Sequence, residues 1–145
     1  MEPQLHLNAF AIVTAALSSF IIGTLWHVFL FKQINQSKKD PVTAQSVSQC
    51  LISISIRLAG TFLMAFVFSH NIAAWDPRSW GYEEAFVPPF IAAMMSALFT
   101  WVGFYIPQDL HRISMDGKSW KVFFSDTLGN LLTLIVSALI LVYWK

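Results

Sequence analysis

An imidazole, a guanidinium, a carboxylate and a carboxamide stand at His27, Arg57, Asp126 and Asn130, each within a long stretch otherwise almost free of charge. Such a set could relay a proton or hold an anion. Imidazole and carboxylate change protonation, the guanidinium attracts anions, and the amide offers both donors and an acceptor. A bare charge at the centre of a bilayer costs about 3 kcal/mol on insertion scales, so intramembrane charges are functional candidates. The competing reading is structural: an Arg57–Asp126 ion pair that fixes how two helices dock. Both readings rest on the same geometry. Arg57 lies ten residues into its stretch, about 15 Å of helix, and Asp126 four residues into its own, about 6 Å. If both helices start on one side of the membrane, Arg57 leans back toward the level of Asp126. His27 reaches a similar depth.

The elements that must position these residues follow from composition. The 145 residues are 56% hydrophobic and 12% charged, with mean hydropathy +0.58. Soluble domains carry about 25% charged residues. Four stretches, Leu7–Phe31, Val47–Ser69, Ala85–Ile106 and Val122–Trp144, contain only Arg57 and Asp126 of the nine basic and eight acidic side chains. A soluble helix keeps a polar face, so repeated charge-free runs of this length are not soluble helices. Each run also exceeds the roughly 20 residues that cross about 30 Å of hydrocarbon. The connections between them are too short to build a second core, which excludes a soluble catalytic or nucleotide-binding domain. A net charge of +1 argues against nucleic-acid partners. The single cysteine, Cys50, excludes an internal disulfide. The first stretch lacks the basic flank of a secretory signal and reads as a retained helix.

Turn chemistry sets the limits of the helices. Asp40-Pro41 marks the first connection. Trp75-Asp76-Pro77-Arg78-Ser79-Trp80-Gly81-Tyr82 reads as a loop at headgroup level. Pro88 and Pro89 open the third helix, and Pro107 is expected to end it. Gln108–Lys121 is then a polar connection with a turn at Asp116-Gly117. Lys32, Lys38, Lys39, Arg112, Lys118 and Lys121 fall on one side, against Arg78 and Lys145 on the other. That bias places both termini on the non-cytoplasmic side. Trp120 and Tyr105 are expected at the inner interface, with Trp75, Trp80, Tyr82, Tyr143 and Trp144 at the outer one. The second helix has an alternative: Val47–Arg57 lying along the interface, with the chain entering the membrane only beyond Arg57.

At 100° per residue each helix carries one polar or small stripe. They are Ala9, Ala16, Gly23 and His27; Ser46, Cys50, Ser53, Arg57 and Thr61; Ala93, Ser96, Thr100 and Gly103; Asp126, Asn130, Thr133 and Ser137. Small residues let helices approach closely in lipid and hydroxyls bond across the seam, so these stripes read as packing faces before pore linings. Several signals carry nothing. Gly117-Lys118-Ser119 lacks the upstream glycine and the strand of a phosphate-binding loop. Asn35-Gln36-Ser37 matches a glycosylation sequon on the expected cytoplasmic side. His6, His27, His70 and His111 lack metal-ligand spacing.

Two segments carry a family resemblance. Gly23-Thr24-Leu25-Trp26-His27-Val28-Phe29-Leu30-Phe31-Lys32 is similar to a G-x-x-W-[Y/H] signature with a Phe-Gly-Lys-like end. Gly117-Lys118-Ser119-Trp120-Lys121-Val122-Phe123-Phe124-Ser125-Asp126 resembles the approach to a last helix ending in Trp. With Trp101-Val102-Gly103-Phe104-Tyr105-Ile106-Pro107 between them, they resemble the bacterial membrane family "domain of unknown function 1761". The resemblance implies four helices in this order and no activity. In that family the Asn/Asp is commonly followed by small-Gly-Tyr-His. Here Thr127-Leu128-Gly129-Asn130 puts a neutral amide where the family has a titratable ring.

The expectation is therefore an all-α polytopic membrane protein. Residues 1–145 form a single domain, a compact bundle of four transmembrane helices in a bacterial inner (plasma) membrane. No catalytic constellation or metal site is expected and no cofactor. The partners are the lipid bilayer and either further copies of the chain or another membrane protein, with no nucleic acid. Function divides between a structural, accessory or interaction subunit and a small oligomeric transporter or channel built on the Arg57–Asp126 cluster.

Overall fold

A computed structural model describes residues 7–34 and 47–144. Among them every regular element is helical: α1 (Ala9–Ile34), α2 (Val47–Trp75), α3 (Pro89–Thr100), α4 (Ile106–Asp116) and α5 (Trp120–Tyr143). Helices α3 and α4 are continuous through a π-turn, Trp101–Tyr105, so four helical rods are long and apolar enough to cross a membrane. The expected start of the second helix at Ser46, the Asp40-Pro41 turn, the Asn35 sequon, His6 and Lys145 lie outside the described residues.

Two boundaries differ most from expectation, each for a local reason. Helix α2 runs to Trp75 rather than Ser69 because its last carbonyls are capped. Ser79 Oγ donates to Ala73 O (2.7 Å) and Trp80 Nε1 to Ala74 O (2.8 Å). The capping segment is itself a 3-10 turn, Pro77–Trp80, whose N-cap Asp76 accepts from the Arg78 amide and binds the Arg78 guanidinium at 2.9 Å. That hydrogen bond and the carboxylate charge raise the Arg78 pKa above its ordinary value, so the guanidinium stays charged at every accessible pH. Helix α2 is also one uninterrupted helix from Val47 to Trp75, with no break at Arg57 at which the interfacial alternative for Val47–Arg57 would turn.

The second difference is at Pro107. Proline lacks the N–H that would bond the carbonyl four residues back, and its ring crowds that carbonyl. The chain passes it without stopping because the preceding turn is widened: the Ile106 amide bonds Trp101 O, five residues back, so an extra residue is accommodated. The rod continues to Asp116, and Gly117 at φ 62 ends it in the left-handed region. Tyr105 is therefore half-buried against the core, well before the end of the rod. Alanine at Gly117 would have to hold that φ; Gly117→Ala is expected to cost about 1–2 kcal/mol, read from the unfolding midpoint in detergent. Beyond the corner, Ser119 caps α5 by accepting from Val122 N at 3.4 Å. This explains the serine of the Gly117-Lys118-Ser119 run.

Helix α5 is the central element. It packs on α1 and on α3, while α2 packs mainly on α1. The seams are made of small residues: Ala11, Ala15 and Ala16 on α1, Ala65 on α2, Ala93 and Ala97 on α3, and Ala138 on α5 are all buried, around a fully enclosed Leu134. Lipid tails are as apolar as leucine, so close backbone approach, and not apolar burial, holds such helices together. Ser19 and Ser137, both buried, share a hydrogen bond across the α1–α5 seam.

Candidate functional site

The turn at Gly117 folds α4 back on the first turns of α5 and creates a charged corner. Asp109 and Arg112 lie three residues apart on one face of α4, and Asp126 and Asn130 four apart on α5, so both pairs project into the same space. Arg112 Nη1 lies 3.6 Å from Asp109 Oδ1 and 3.7 Å from Asp126 Oδ2. Asn130 Nδ2 donates to Asp109 Oδ2 at 3.1 Å. Side-chain exposures are 5% for Asp109 and 11% for Asp126, against 43% for Arg112. One partly wetted guanidinium thus serves one buried and one nearly buried carboxylate. A cavity of about 10 Å³ lies between Asp109, Arg112, Lys118 and Asp126, about enough for one water. Asp126 Oδ1 is buried without a hydrogen-bond partner.

Behind this corner α5 is held by two indoles. Trp26 Nε1 donates to Ser125 O at 2.9 Å, and Trp101 Nε1, at the start of the π-turn, donates to Thr127 O at 2.7 Å. Trp26 lies flat against Gly129, where a Cβ would meet the ring at 2.4 Å. The two segments that carry the family resemblance therefore touch: the tryptophan of the first packs on the helix turn that carries the acid of the second.

Of the four residues singled out from the sequence, the structure brings two together, Asp126 and Asn130. The expected Arg57–Asp126 ion pair is not formed. Arg57 is exposed on α2; its Nη2 donates to Thr24 Oγ1 on α1 at 3.3 Å and its guanidinium lies 5.8 Å from the Phe20 ring centroid. His27 is exposed on α1. Asp126 pairs with Arg112 instead because α4 is a helix where a polar connection was expected, and that helix delivers a nearer cation. Asp109 and Arg112 were missed for the same reason. Their signal was present: Ile106, Leu110 and Ile113 recur at helical spacing, with Asp109 and Arg112 as an i, i+3 pair beside them. Among the described residues no group of three or more His, Cys, Asp or Glu side chains could hold a metal.

At the other end, α1, α2 and α5 enclose a cavity of about 260 Å³, mostly apolar, beside the Asp76–Arg78 pair. Its hydroxyls are spent on nearby carbonyls, Ser69 on Phe66 O and Ser79 on Ala73 O. The charged corner is the better candidate because it gathers ionisable groups of low exposure that must be satisfied.

A family model described as "Protein of unknown function (DUF1761)" matches residues 10–142. No curated protein and no solved structure matches the chain.

Proposed function

The chain belongs to the DUF1761 family, matched from residue 10 to residue 142, and from that premise we propose a structural or accessory membrane subunit whose polar side chains fasten helices. The observation that carries this reading is Arg112. Its guanidinium serves Asp109 and Asp126 at once, and Asn130 completes Asp109, so the charges join α4 to α5. The other polar groups of the spans act alike: Ser19 bonds Ser137, and both indoles bond carbonyls of α5. Such a protein acts by contact, through lipid, through further copies of itself or through another membrane protein. The four rods form a single domain in a plasma membrane, bacterial as in the family the sequence resembles, with both termini outside by the distribution of lysine and arginine.

The test is to remove the fastener. Arg112→Gln leaves these two carboxylates without a cation and is expected to lower unfolding stability in detergent by about 1–3 kcal/mol. Adding Asp109→Asn and Asp126→Asn removes the uncompensated charge and is expected to recover most of that loss. If the triple variant is no more stable than Arg112→Gln, the corner is not a fastener.

The unpartnered Asp126 Oδ1 supports a second reading, an oligomeric transporter or channel that carries a proton on this carboxylate. Four spans are few for a transporter, so this reading needs more than one copy around the path. A proton flux in proteoliposomes that Asp126→Asn abolishes, while leaving the fold intact, would establish it in place of the first.

A further inference from the structure

Helix α2 divides into two unlike halves. Ala65, Phe68, Ser69, Ile72 and Ala73 are buried, whereas every residue from Val47 to Gly60 is exposed. An exposed apolar half-helix in a membrane needs no explanation, since lipid covers it. An exposed guanidinium within it does. Arg57 follows Val47 by ten residues, about 15 Å along the axis, on a helix about 43 Å long. That length exceeds a hydrocarbon core of about 30 Å, so roughly 7 Å projects at each end and Arg57 starts about 8 Å inside the core.

An arginine at this depth ordinarily extends along its helix to the headgroups. Arg57 is held sideways instead. It donates to Thr24 Oγ1 at 3.3 Å, and its guanidinium lies 5.8 Å from the centroid of the Phe20 ring. Thr24 is ten residues from the end of α1 at Ile34, and Phe20 is one turn deeper still. Helices α1 and α2 are antiparallel, since the start of α1 and the end of α2 line one cavity. Thr24 and Arg57 are therefore at the same depth, and the charge is tied there. The Thr24 hydroxyl is itself oriented by donating to Phe20 O at 2.7 Å, which turns its lone pair toward the arginine.

A fixed cation needs an anion. Among the described residues, Asp109 and Asp126 are shared with Arg112, Asp76, Glu83 and Glu84 lie beyond the opposite end of α2, and Asp116 ends α4 without an ion pair to Arg57. A second copy of the chain brings the same acids and one more arginine. The nearest anion the surroundings supply is the phosphodiester of a phospholipid, drawn inward from headgroup level to a cation that is held back from it, and a guanidinium binds it with two parallel hydrogen bonds.

We infer that the first half of α2 is a phospholipid site. Arg57, positioned by Thr24 and Phe20, takes the phosphate of a lipid from the leaflet in which α2 begins. The acyl chains run inward from Arg57 along Leu58, Phe62 and Phe66, an exposed stripe that leads toward the membrane centre. The chemistry is that of an oxyanion with an apolar body, so the chains must contribute as well as the phosphate.

Native mass spectrometry of the detergent-purified protein tests this, with added dioleoylphosphatidylglycerol, dioleoylglycerol and inorganic phosphate as separate probes. The expected result is retention of phosphatidylglycerol, with neither of the other probes held comparably. Arg57→Gln is expected to weaken retention about tenfold or more, with Arg57→Lys between it and the parent, because an ammonium lacks the fork. Thr24→Val keeps the charge and frees its position, and is expected to weaken retention even if Arg57→Gln fails to fold. Equal retention by Thr24→Val, by a folded Arg57→Gln, or of dioleoylglycerol would overturn the site. Inorganic phosphate held as tightly as the lipid would overturn the lipid as its source. Oxidation provides one more check, because Cys50 is exposed on the same stripe as Arg57. A Cys50–Cys50 dimer that no longer retains phosphatidylglycerol would show that a second copy covers this face instead. None of these outcomes depends on the Arg112 corner.

Discussion

Gly129→Ala is expected to destabilise the protein by about 2–3 kcal/mol, although in an exposed helix the same change stabilises by about 1 kcal/mol. The reversal of sign comes from one contact. An added Cβ would lie 2.4 Å from Trp26 Cδ1, 2.5 Å from Nε1 and 3.2 Å from Cγ, so it meets the face of the ring and not a flexible tip. The ring cannot swing away without giving up the hydrogen bond from Nε1 to Ser125 O. Either α1 moves outward or the bond is lost. Unfolding in detergent, followed by helical circular dichroism, measures the loss. Trp26→Phe removes the bond and part of the ring, so combining it with Gly129→Ala should cost clearly less than the sum of the single changes. Full additivity, or a Gly129→Ala protein as stable as the parent, would mean that the indole does not lie on this glycine.

Ser137 distinguishes packing from hydrogen bonding as the glue of the α1–α5 seam. It is completely buried and shares a hydrogen bond with the equally enclosed Ser19. Ser137→Ala removes the bond, but the Ser19 hydroxyl can turn to a carbonyl of its own helix, so the expected cost is only about 0.6 kcal/mol. Ser137→Leu adds three carbons between helices that meet through Ala15, Ala16 and Ala138, and is expected to cost about 3 kcal/mol or more. The contrast is diagnostic. If the alanine variant is the more damaged of the two, the hydroxyl pair and not close approach dominates the seam. Both measurements belong in the same detergent at the same protein concentration, because any self-association would shift the apparent stability.

Most of the fold was legible without coordinates because lipid imposes simple local rules. A run long enough to cross and nearly free of charge is a span, wherever its neighbours lie. The small-residue stripes foretold contacts on three helices, where Ala16, Ala93 and Ser137 are buried. On α2, however, Cys50, Ser53 and Arg57 are exposed and that stripe is no packing face, because the first half of α2 buries no residue against a neighbour among the described residues. The errors cluster at helix ends. Proline was expected to stop the third rod at Pro107, yet a π-turn carries the helix past it. That single difference moved Asp109 and Arg112 from an aqueous loop onto a helix facing Asp126, and so replaced the expected partner of the acid. A widened turn leaves no clear mark in a short stretch of sequence, because it depends on how the rod beyond it, α4, packs on α5.

The sequence by itself determined the solvent, the number of spans and which residues were out of place in lipid. These properties are sums over neighbouring residues: length, hydropathy and the position of a rare charge. Only the tertiary structure decided what each exceptional residue does. Asp126 turns inward to Arg112 and is nearly buried, whereas Arg57 is tied to Thr24 on the open side of α2. Pairing in a membrane depends on how far each helix extends and on which of its halves leans on a neighbour. Neither quantity is written in any one helix, since both follow from how several rods with small-residue seams settle against one another.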